Sequence, residues 1–362
     1  MNLSRRDFLK ASGAAAATGL LTACSSGGSD GEGSSGKIFS ERPEWAMEAD
    51  EVTGTLTVYT TMLQPEQDRI VEVFAELYPD CTVQFQADSV GTLVTRIRSD
   101  ENSDADIIAG GMFASDGDEN ADILQPYVSK AEEAGELIYT DETQMKAYID
   151  IQEMCLCVNP DLAAEAGVEI TGYASLLDDA LDGQIIVADP ASSSSGYRQL
   201  QTMLAVMGDE FADEKAWEYV EKLVPMTFST TSSKDVFNLV ANGEYIVGLS
   251  YENAVLEQIE NGANLEIVYM EEGNTAMASG TAITVNAPNL TAAQALTDFL
   301  VSKEHGEWRA VNIFGRSNNS LAEISNLTDI DTLGNVEMDL NYLIEHKQEL
   351  LDRYADIVAS VS

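Results

Sequence analysis

The sequence predicts an α/β fold, and three observations support this prediction. From Thr53 onward, short β-branched segments alternate with segments whose apolar residues recur at helical spacing, a pattern typical of parallel sheets covered by helices. A second block with the same alternation begins near Cys155. The chain has 362 residues, which is enough for two medium-sized domains with their own hydrophobic cores.

The first block predicts two strand–helix units and a third strand. The strand GTLTVYTT precedes a helix in PEQDRIVEVFAELYP, where apolar residues keep helical spacing behind Pro65. The strand CTVQFQA, the helix VGTLVTRIRSDE and the buried strand ADIIAGG follow. Ligands of such sheets bind at the carboxyl ends of the strands. The candidate ligand-binding residues at these ends are therefore Thr60, Thr61, Ser89, Gly91, Gly111 and Met112.

The second block continues the alternation, and the chain ends in helices. Its first strand is predicted around EMCLCVNP, and the later predicted strands are GQIIVADP, YIVGLSYE, NLEIVYM and SGTAITVNA. The predicted helices are a serine-led segment after Pro190, DEKAWEYVEKLVP, KDVFNLVANGE, NAVLEQIENGA, TAAQALTDFLVSKEHGEWRAVN and the terminal NYLIEHKQELLDRYADIVASV. The last two are strongly amphipathic, as expected of helices that pack on a protein core.

The N-terminus predicts export and a lipid anchor. Arg5 and Arg6 precede an apolar run, as in twin-arginine export signals. The run ends in LTAC, which resembles a bacterial lipoprotein cleavage and acylation box; an ordinary cleaved signal with an unrelated cysteine is the alternative. We expect residues 1–24 to form the signal and Cys24 to carry two acyl chains, which give stable anchoring in a lipid bilayer on the extracytoplasmic side. Residues 25–52 are predicted to form a flexible tether.

The strong negative charge limits the partners of this protein. The chain has 62 acidic and 19 basic residues, for a formal net charge of −43. Such a field repels nucleic acids and anionic membrane surfaces, so we expect no nucleic-acid partner. We expect the exported protein to be a monomer.

The cysteines, histidines and serines predict neither a metal site nor an enzyme. Cys81, Cys155 and Cys157 follow the signal, and the last two share one face of a strand, so buried thiols are favoured over metal binding. His305 and His346 show no ligand-like spacing to a cysteine. Because no Gly-x-Ser-x-Gly motif is present and both histidines lie near the C-terminus, we predict no catalytic residues and no cofactor.

Four consecutive serines, residues 192–195, lie between the strand IIVADP and a helix. Unpaired N–H groups and the dipole at a helix start attract anions, and serine hydroxyls add donors without bulk. One serine could instead be an ordinary N-cap with the others in a loop, and this alternative stays open. The candidate anion-binding residues are Ser193, Ser194, Ser195, Gly196 and Tyr197, with Arg198 as a nearby cation.

A second hydroxyl-rich helix start lies in the same block. Ser232 and Ser233 precede a helix together with Lys234, and an anion site and a simple cap explain them equally well. Tyr251 and Glu252 end a predicted strand of this block. Glu252 is either an acceptor for ligand hydroxyl or ammonium groups or a turn residue of an acidic protein.

The order of these segments resembles a known family. From the lipoprotein box through LTVYTT, SVGTLVTRI, ADIIAGG, IIVADPASSSSGYRQLQTMLAVMG, GEYIVGLSYEN and SGTAITVNAPNLTAAQALTDFLVSKE, the chain is similar to the extracellular solute-binding proteins of ABC importers. These proteins have the type 2 periplasmic-binding-protein fold, and the resemblance is strongest to the ferric-iron, phosphonate and sugar-phosphate binding group. It covers about residues 53–358.

The resemblance implies two α/β lobes that are joined by hinge strands and close over a ligand in a central cleft. The first lobe would comprise residues 53–154 plus 279–362, and the second lobe residues 155–278. The crossings would fall near EMCLCVNP and MASGTAI, which adds Ser279 to the candidate ligand-binding residues. The partners that it implies are a small solute and the membrane subunits of an ABC permease.

Two ligand classes follow from the resemblance. We predict a small anionic organic solute, namely a sugar phosphate, another organophosphate or a phosphonate, because two hydroxyl-led helix starts lie in one block. Ferric iron is the alternative. Iron-binding members typically carry an adjacent pair of tyrosines late in the second lobe, and this chain has no Tyr-Tyr pair.

Overall fold

Strands and helices alternate along the chain as predicted. This computed structural model describes residues 37–100 and 102–361, so the predicted signal, Cys24 and the first part of the predicted tether lie outside the described residues. The strands are β1 (Gly54–Thr60), β2 (Cys81–Ala87), β3 (Ile107–Phe113), β4 (Leu124–Gln125), β5 (Ala147–Val158), β6 (Ile185–Ala188), β7 (Thr227–Thr230), β8 (Val247–Tyr251), β9 (Glu266–Val268), β10 (Ala276–Thr284) and β11 (Arg316–Ser317). The α-helices are α1 (Gln64–Leu77), α2 (Val90–Ser99), α3 (Lys130–Glu133), α4 (Pro160–Ala166), α5 (Ser194–Val206), α6 (Glu214–Leu223), α7 (Ser233–Ala241), α8 (Glu252–Glu260), α9 (Leu290–Leu300), α10 (Lys303–Ile313) and α11 (Leu340–Val361).

The main strands form one sheet in the order β2–β1–β3–β10–β5–β8–β6–β7. β1 pairs in parallel with β2 and β3, and β6 pairs in parallel with β7 and β8. β5 and β10 run antiparallel to their neighbours, so the sheet is mixed. Parallel neighbours require a crossover connection. β5 and β10 are antiparallel to each other, so these two strands enter the sheet from opposite ends.

The long strand β5 joins the two parts of the sheet. Its residues 147–153 pair with β10, whereas residues 154–158 pair with β8. We call β1–β4, β10 and the start of β5 the first half of the sheet, and β6–β9 with the end of β5 the second half. Helices cover both halves, so the predicted α/β fold is confirmed.

Helix α1 shows why apolar periodicity predicted the helices. Pro65 lies in the first turn, where its missing N–H would have no intrahelical partner. The predicted face, Ile70, Val73, Phe74 and Leu77, is buried in the core of the first half. The same side chains that set the 3.6-residue period therefore hold the helix against the sheet.

Residues 291–312, predicted as one helix, are divided between α9 and α10. Ser302 lies between them in an extended conformation, and its hydroxyl accepts a hydrogen bond from the His305 N–H at 3.3 Å. The same hydroxyl donates to the carbonyl of Phe299 at 2.7 Å. A serine that bonds the local backbone competes with helix continuation, so Ser302 ends one helix and caps the next.

Residues 38–52 pack on the first half of the sheet, whereas the predicted flexible tether extended through residue 52. The backbone N–H groups of Ile38 and Phe39 donate to the Glu76 carboxylate. Trp45 and Val52 are buried at 8% and 0% exposure within the same core. Burial of a tryptophan supplies enough apolar contact to order a short segment, and the polar composition of residues 25–36 does not extend to this part.

The terminal helix α11 packs against the second half of the sheet and also contacts the segment that follows β3. Its buried side chains Leu343, Leu350, Tyr354 and Ile357 belong to the core that contains Trp217 of α6. The prediction grouped residues 279–362 with the first lobe. Amphipathic periodicity predicts which face of a helix is buried but not which part of the protein covers that face.

Cys155 and Cys157 lie fully buried in β5, as predicted, and Cys81 is buried at the start of β2. All three are free thiols. Burial raises the pKa of the Cys157 thiol to about 12. The thiols therefore stay protonated and pack as small apolar groups.

Within residues 37–100 and 102–361, no helix combines the length and the apolar character that crossing a membrane requires.

Candidate functional site

A cavity of about 200 Å³ lies between the two halves of the sheet. Its wall comes from three places: the segment that follows β3, the start of α5 and one turn of α11. The lining residues that carry polar groups are Ser115, Asp116, Ser192, Ser193, Ser194, Tyr197, Arg198 and Lys347. The serine-led helix start that the sequence predicted to bind an anion therefore opens into a cavity.

The start of α5 presents hydroxyl and N–H donors to this cavity. Ser193 is the N-cap, and its hydroxyl accepts from the Gly196 N–H at 3.3 Å and lies 3.0 Å from the Ser195 hydroxyl. Ser194 is the first helical residue and is exposed, whereas Ser195 is buried. Both predicted roles are thus compatible with the geometry, because one serine caps the helix and its neighbour keeps an accessible hydroxyl.

Gly196 explains how α5 approaches the sheet so closely. A Cβ at this position would lie 2.3 Å from the carbonyl oxygen of Ala188 in β6. Contacts this short are not tolerated between non-bonded heavy atoms. The glycine therefore sets the position of the helix start relative to the carboxyl end of β6.

Arg198 is a buried cation beside the serines. It is 2% exposed, and its two terminal nitrogens donate to the side chain and the backbone carbonyl of Gln152, at 2.6 and 2.7 Å. Its Nε has no hydrogen-bond partner among the residues that the structure describes. Burial lowers the pKa of the Arg198 guanidinium to about 10, while the charges of Glu153 and Asp150 oppose this effect. The group therefore remains charged at neutral pH and can bind an anion.

Lys347 and Asp116 complete the polar wall. The Lys347 Nζ lies 3.3 Å from the Glu119 carboxylate, 3.9 Å from that of Asp116 and 5.9 Å from the centre of the Tyr197 ring. Burial raises the pKa of the Asp116 carboxyl, and the charge of Lys347 opposes that rise. Lys347 was not predicted, because nothing in an amphipathic terminal helix indicates that one of its turns reaches this cavity.

Glu252 and Ser279 lie in a buried polar network near the crossing strands. The Glu252 carboxylate accepts two hydrogen bonds of 2.7 Å from the guanidinium of Arg316, and it also accepts from Tyr269. The Ser279 hydroxyl donates to Asp150, which is ion-paired with Arg309. Both predicted ligand-binding groups are thus already bonded within the protein, so their acceptors and donors are less available to a ligand.

The first-half candidates differ in accessibility. Thr60 is fully buried, and its hydroxyl donates to the Ala109 carbonyl and accepts from the Met62 N–H. The hydroxyl therefore binds the protein backbone and is not available to a ligand. Thr61 and Ser89 are exposed at the ends of β1 and β2. Ser89 accepts from the Thr92 N–H at 3.4 Å, which makes it the N-cap of α2.

The two glycine candidates of the first half differ in whether a side chain would fit at their position. Gly111 has φ +74°, and a Cβ there would lie 2.6 Å from Val90. Its conformation and its close packing therefore both exclude a side chain. Gly91 is exposed in α2 with no atom near the position of a Cβ. Met112 is buried in the core beside α2.

The second hydroxyl-rich helix start is partly buried. Ser232 occupies the N-cap position of α7 without a side-chain cap bond. Burial raises the pKa of the Tyr251 phenol, and a hydrogen bond with Ser233 opposes this rise. Lys234 is exposed. The structure thus brings Ser233 and Tyr251 together, but these residues do not line the cavity at α5.

Within the described ranges, no group of three or more His, Cys, Asp and Glu side chains is arranged to hold a metal ion. His305 is fully buried, and its ring lies 4.6 Å from that of Phe299 and 5.9 Å from that of Trp308. Burial lowers the pKa of this imidazole well below its usual range. His346 is partly exposed on α11 and contacts Glu349. Neither histidine lines the cavity.

Two parts of the chain match known sequence families. Residues 56–307 match the family described as bacterial extracellular solute-binding protein, and residues 2–22 match the twin-arginine translocation signal sequence. An uncharacterized protein of Haemophilus influenzae is 25% identical over 283 residues, which are 75% of this chain and 80% of that protein. The predicted export signal is therefore confirmed.

Solved structures share the fold. The periplasmic binding protein AfuA of Actinobacillus pleuropneumoniae, with exogenous fructose-6-phosphate bound, superposes with a TM-score of 0.73 at 23% identity over 84% of this chain and 98% of that one. Iron-bound HitA of Pseudomonas aeruginosa gives a TM-score of 0.69 at 17% identity over 84% and 99%. The predicted two-lobe fold is confirmed, and at these identities the similarity concerns the fold and not the ligand.

Proposed function

This chain belongs to the family of bacterial extracellular solute-binding proteins, and we propose that its ligand is a small anionic organic solute: a sugar phosphate, another organophosphate or a phosphonate. It is a solute-binding protein of an ABC importer, a class that delivers a small solute to permease subunits in the membrane. Its twin-arginine signal directs it out of the cytoplasm.

The observation that carries this proposal is the donor set of the cavity at α5. The Ser194 hydroxyl, the N–H groups of a thirteen-residue helix and the Arg198 guanidinium converge on one cavity wall. The Arg198 guanidinium adds a buried positive charge to this wall, which favours an anionic ligand. The cavity of about 200 Å³ is smaller than the roughly 300–1,000 Å³ of drug-sized pockets, which favours a small solute.

Binding of the solute in this proposal requires the two predicted lobes to close over it. In this proposal the hinge consists of β5, which pairs with both halves of the sheet, and of the start of β10, which follows β9 of the second half along the chain. The first lobe comprises residues 53–154 and 279–339, and the second comprises residues 155–278 and 340–361. We assign α11 to the second lobe because its buried face contacts the core around Trp217. Closure then brings the segment after β3 toward the start of α5.

The proposal also includes the anchor and the partners. Acylation of Cys24 would hold the protein at the outer face of the cell membrane, close to the permease subunits. The net charge of −43 disfavours binding to nucleic acids. A monomer is sufficient, because the cavity is formed within one chain.

Calorimetric titration of the purified full chain tests the ligand class. We expect heat of binding with fructose 6-phosphate or methylphosphonate and none with fructose. Saturation at 100 times the dissociation constant should stabilise the protein by about 2.7 kcal/mol, which a melting curve detects. Titration with ferric citrate tests the alternative. A charge-transfer colour with ferric iron, without a response to any phosphorylated or phosphonate compound, would contradict the proposal and favour an iron-binding protein.

A further inference from the structure

Helix α11 contacts both halves of the sheet, and its one lysine, Lys347, lies at the cavity between them. The C-terminal part of the helix is held on the second half. The Arg353 guanidinium pairs with the carboxylate of Glu214 at 2.8 and 3.1 Å and lies over the ring of Trp217 at 4.6 Å. This part of α11 therefore moves with the second half.

The N-terminal part of α11 contacts the first half instead. Ile344 packs so closely on Gly117 that a Cβ on this glycine would lie 2.8 Å from it. One turn later, the Lys347 Nζ lies 3.3 Å from Glu119 and 3.9 Å from Asp116. Gly117, Glu119 and Asp116 all belong to the segment that follows β3. The Lys347 ion pairs consequently span the boundary between the two halves.

These ion pairs are easily exchanged. The Glu119 side chain is 59% exposed and that of Lys347 is 34% exposed. Water competes with ion pairs at such positions, so they hold their partners weakly. A lysine ammonium sits on a flexible four-carbon stem and can turn toward a new anion without movement of the helix. The start of α5 and Arg198 line the same cavity as Lys347, so an anion bound there would compete with both carboxylates.

We propose that Lys347 is a ligand-binding cation of the cavity, presented by α11 from the second half and held by Asp116 and Glu119 of the first half until an anion replaces them. This inference rests on the proposed function, because it requires an anionic ligand at the start of α5. The inference adds a direct contact between the terminal helix and the bound anion. Lys347 binds either the anion or the two carboxylates of the first half, so anion binding breaks the ion pairs between the halves.

Titration of single variants with fructose 6-phosphate tests the contact. Lys347→Met should raise the dissociation constant tenfold or more, because a charge-assisted hydrogen bond to the anion is lost. Lys347→Arg keeps the charge and should stay within about threefold of the parent. Glu119→Gln should bind two- to fivefold more tightly than the parent, because it frees the lysine. The same change in a Lys347→Met background should have no effect on affinity.

Arg353→Met is the matched control, since Arg353 is a cation on the same helix that pairs with an exposed carboxylate away from the cavity. It should lower the melting temperature and leave the affinity unchanged. A purely structural role for Lys347 predicts this same pattern for Lys347→Met.

Parental affinity in Lys347→Met would overturn the inference while leaving the proposed function intact. Parental affinity in Glu119→Gln would overturn the exchange between carboxylate and ligand. If the parent protein bound neither fructose 6-phosphate nor inorganic phosphate nor methylphosphonate, the proposed function would fall first, and this inference with it.

Discussion

Replacing the serines at the start of α5 one at a time separates ligand binding from helix capping. Ser193 caps the helix through the Gly196 N–H, and its hydroxyl also contacts Ser195. The Ser194 hydroxyl is exposed and makes no hydrogen bond to another residue of the described chain. Ser194→Ala therefore removes only a donor for the ligand, whereas Ser193→Ala removes a cap as well.

The structure sets the expected size of each effect. A hydrogen bond to a charged partner contributes about 1.5–3 kcal/mol, and each 1.4 kcal/mol is about tenfold in the dissociation constant. Ser194→Ala should weaken the binding of fructose 6-phosphate by about ten- to a hundredfold and leave the melting temperature unchanged. Ser193→Ala should also lose about 1 kcal/mol of stability through the cap. Ser194→Glu should bind worst, because its carboxylate would occupy the place of the anion.

Ser302→Ala is the matched control for capping. Ser302 caps α10 with the same 3.3 Å contact to an N–H group three residues later, but it does not line the cavity at α5. Its loss should lower the melting temperature and leave the affinity unchanged. Calorimetric titration and thermal melting of the same preparations supply both readouts.

One result would refute a ligand-binding role for these serines. If the alanine variants of Ser193, Ser194 and Ser195 all bind fructose 6-phosphate as tightly as the parent protein, the serines form only a loop and a cap. The anion site would then lie elsewhere, and the ligand class would have to be argued from another part of the cleft.

Three further predictions follow. Burial raises the pKa of the Glu153 carboxyl from 4.5 to about 7, so the folded state holds a proton that the unfolded state releases, and stability falls as the pH rises through this window. Glu153→Gln should remove that fall in a series of melting temperatures, and a parental pH profile would contradict it. Gly196→Ala should lower the melting temperature, because the added methyl group would lie 2.3 Å from a carbonyl oxygen. Gly91→Ala is the control and should not lower it, because no atom lies near the added methyl group. Equal melting temperatures for the two variants would refute the packing argument. Cys24→Ser should move the protein from the membrane to the soluble fraction, and a variant that still sediments with membranes without detergent would disprove the anchor.

The helices and the main strands could be predicted because their signals are local. In α1, Ile70, Val73, Phe74 and Leu77 repeat with the helical period and form the face that the sheet covers. The short strands β4, β7 and β11 were not predicted, because two to four residues carry no usable period. The division at Ser302 was also missed, since a serine that caps a helix resembles a serine within one.

The candidate site was predictable only in part. The serine run was found because an unusual local composition precedes a helix, and the structure places it at a cavity. Glu252 was predicted from its place at a strand end, yet its carboxylate is bonded to Arg316 from β11. Lys347 carried no local signal. Its role depends on where α11 lies, which is decided by the packing of Leu350 and Tyr354 against α6 and its neighbours.

The sequence by itself determined the export signal, the α/β alternation, the family resemblance and the hydroxyl-rich start of α5. The signal, the alternation and the helix start depend on residues within one turn, one strand or one short motif, where covalent neighbours and backbone hydrogen bonds dominate, and the resemblance depends on the order of such segments. Only the tertiary structure decided that Arg198 is buried with a free Nε, that Glu252 is already paired, and that Lys347 joins the two halves at the cavity. These facts depend on contacts between residues far apart in the chain. Side-chain burial and charge pairing at such contacts are set by how whole elements pack, which no local pattern encodes.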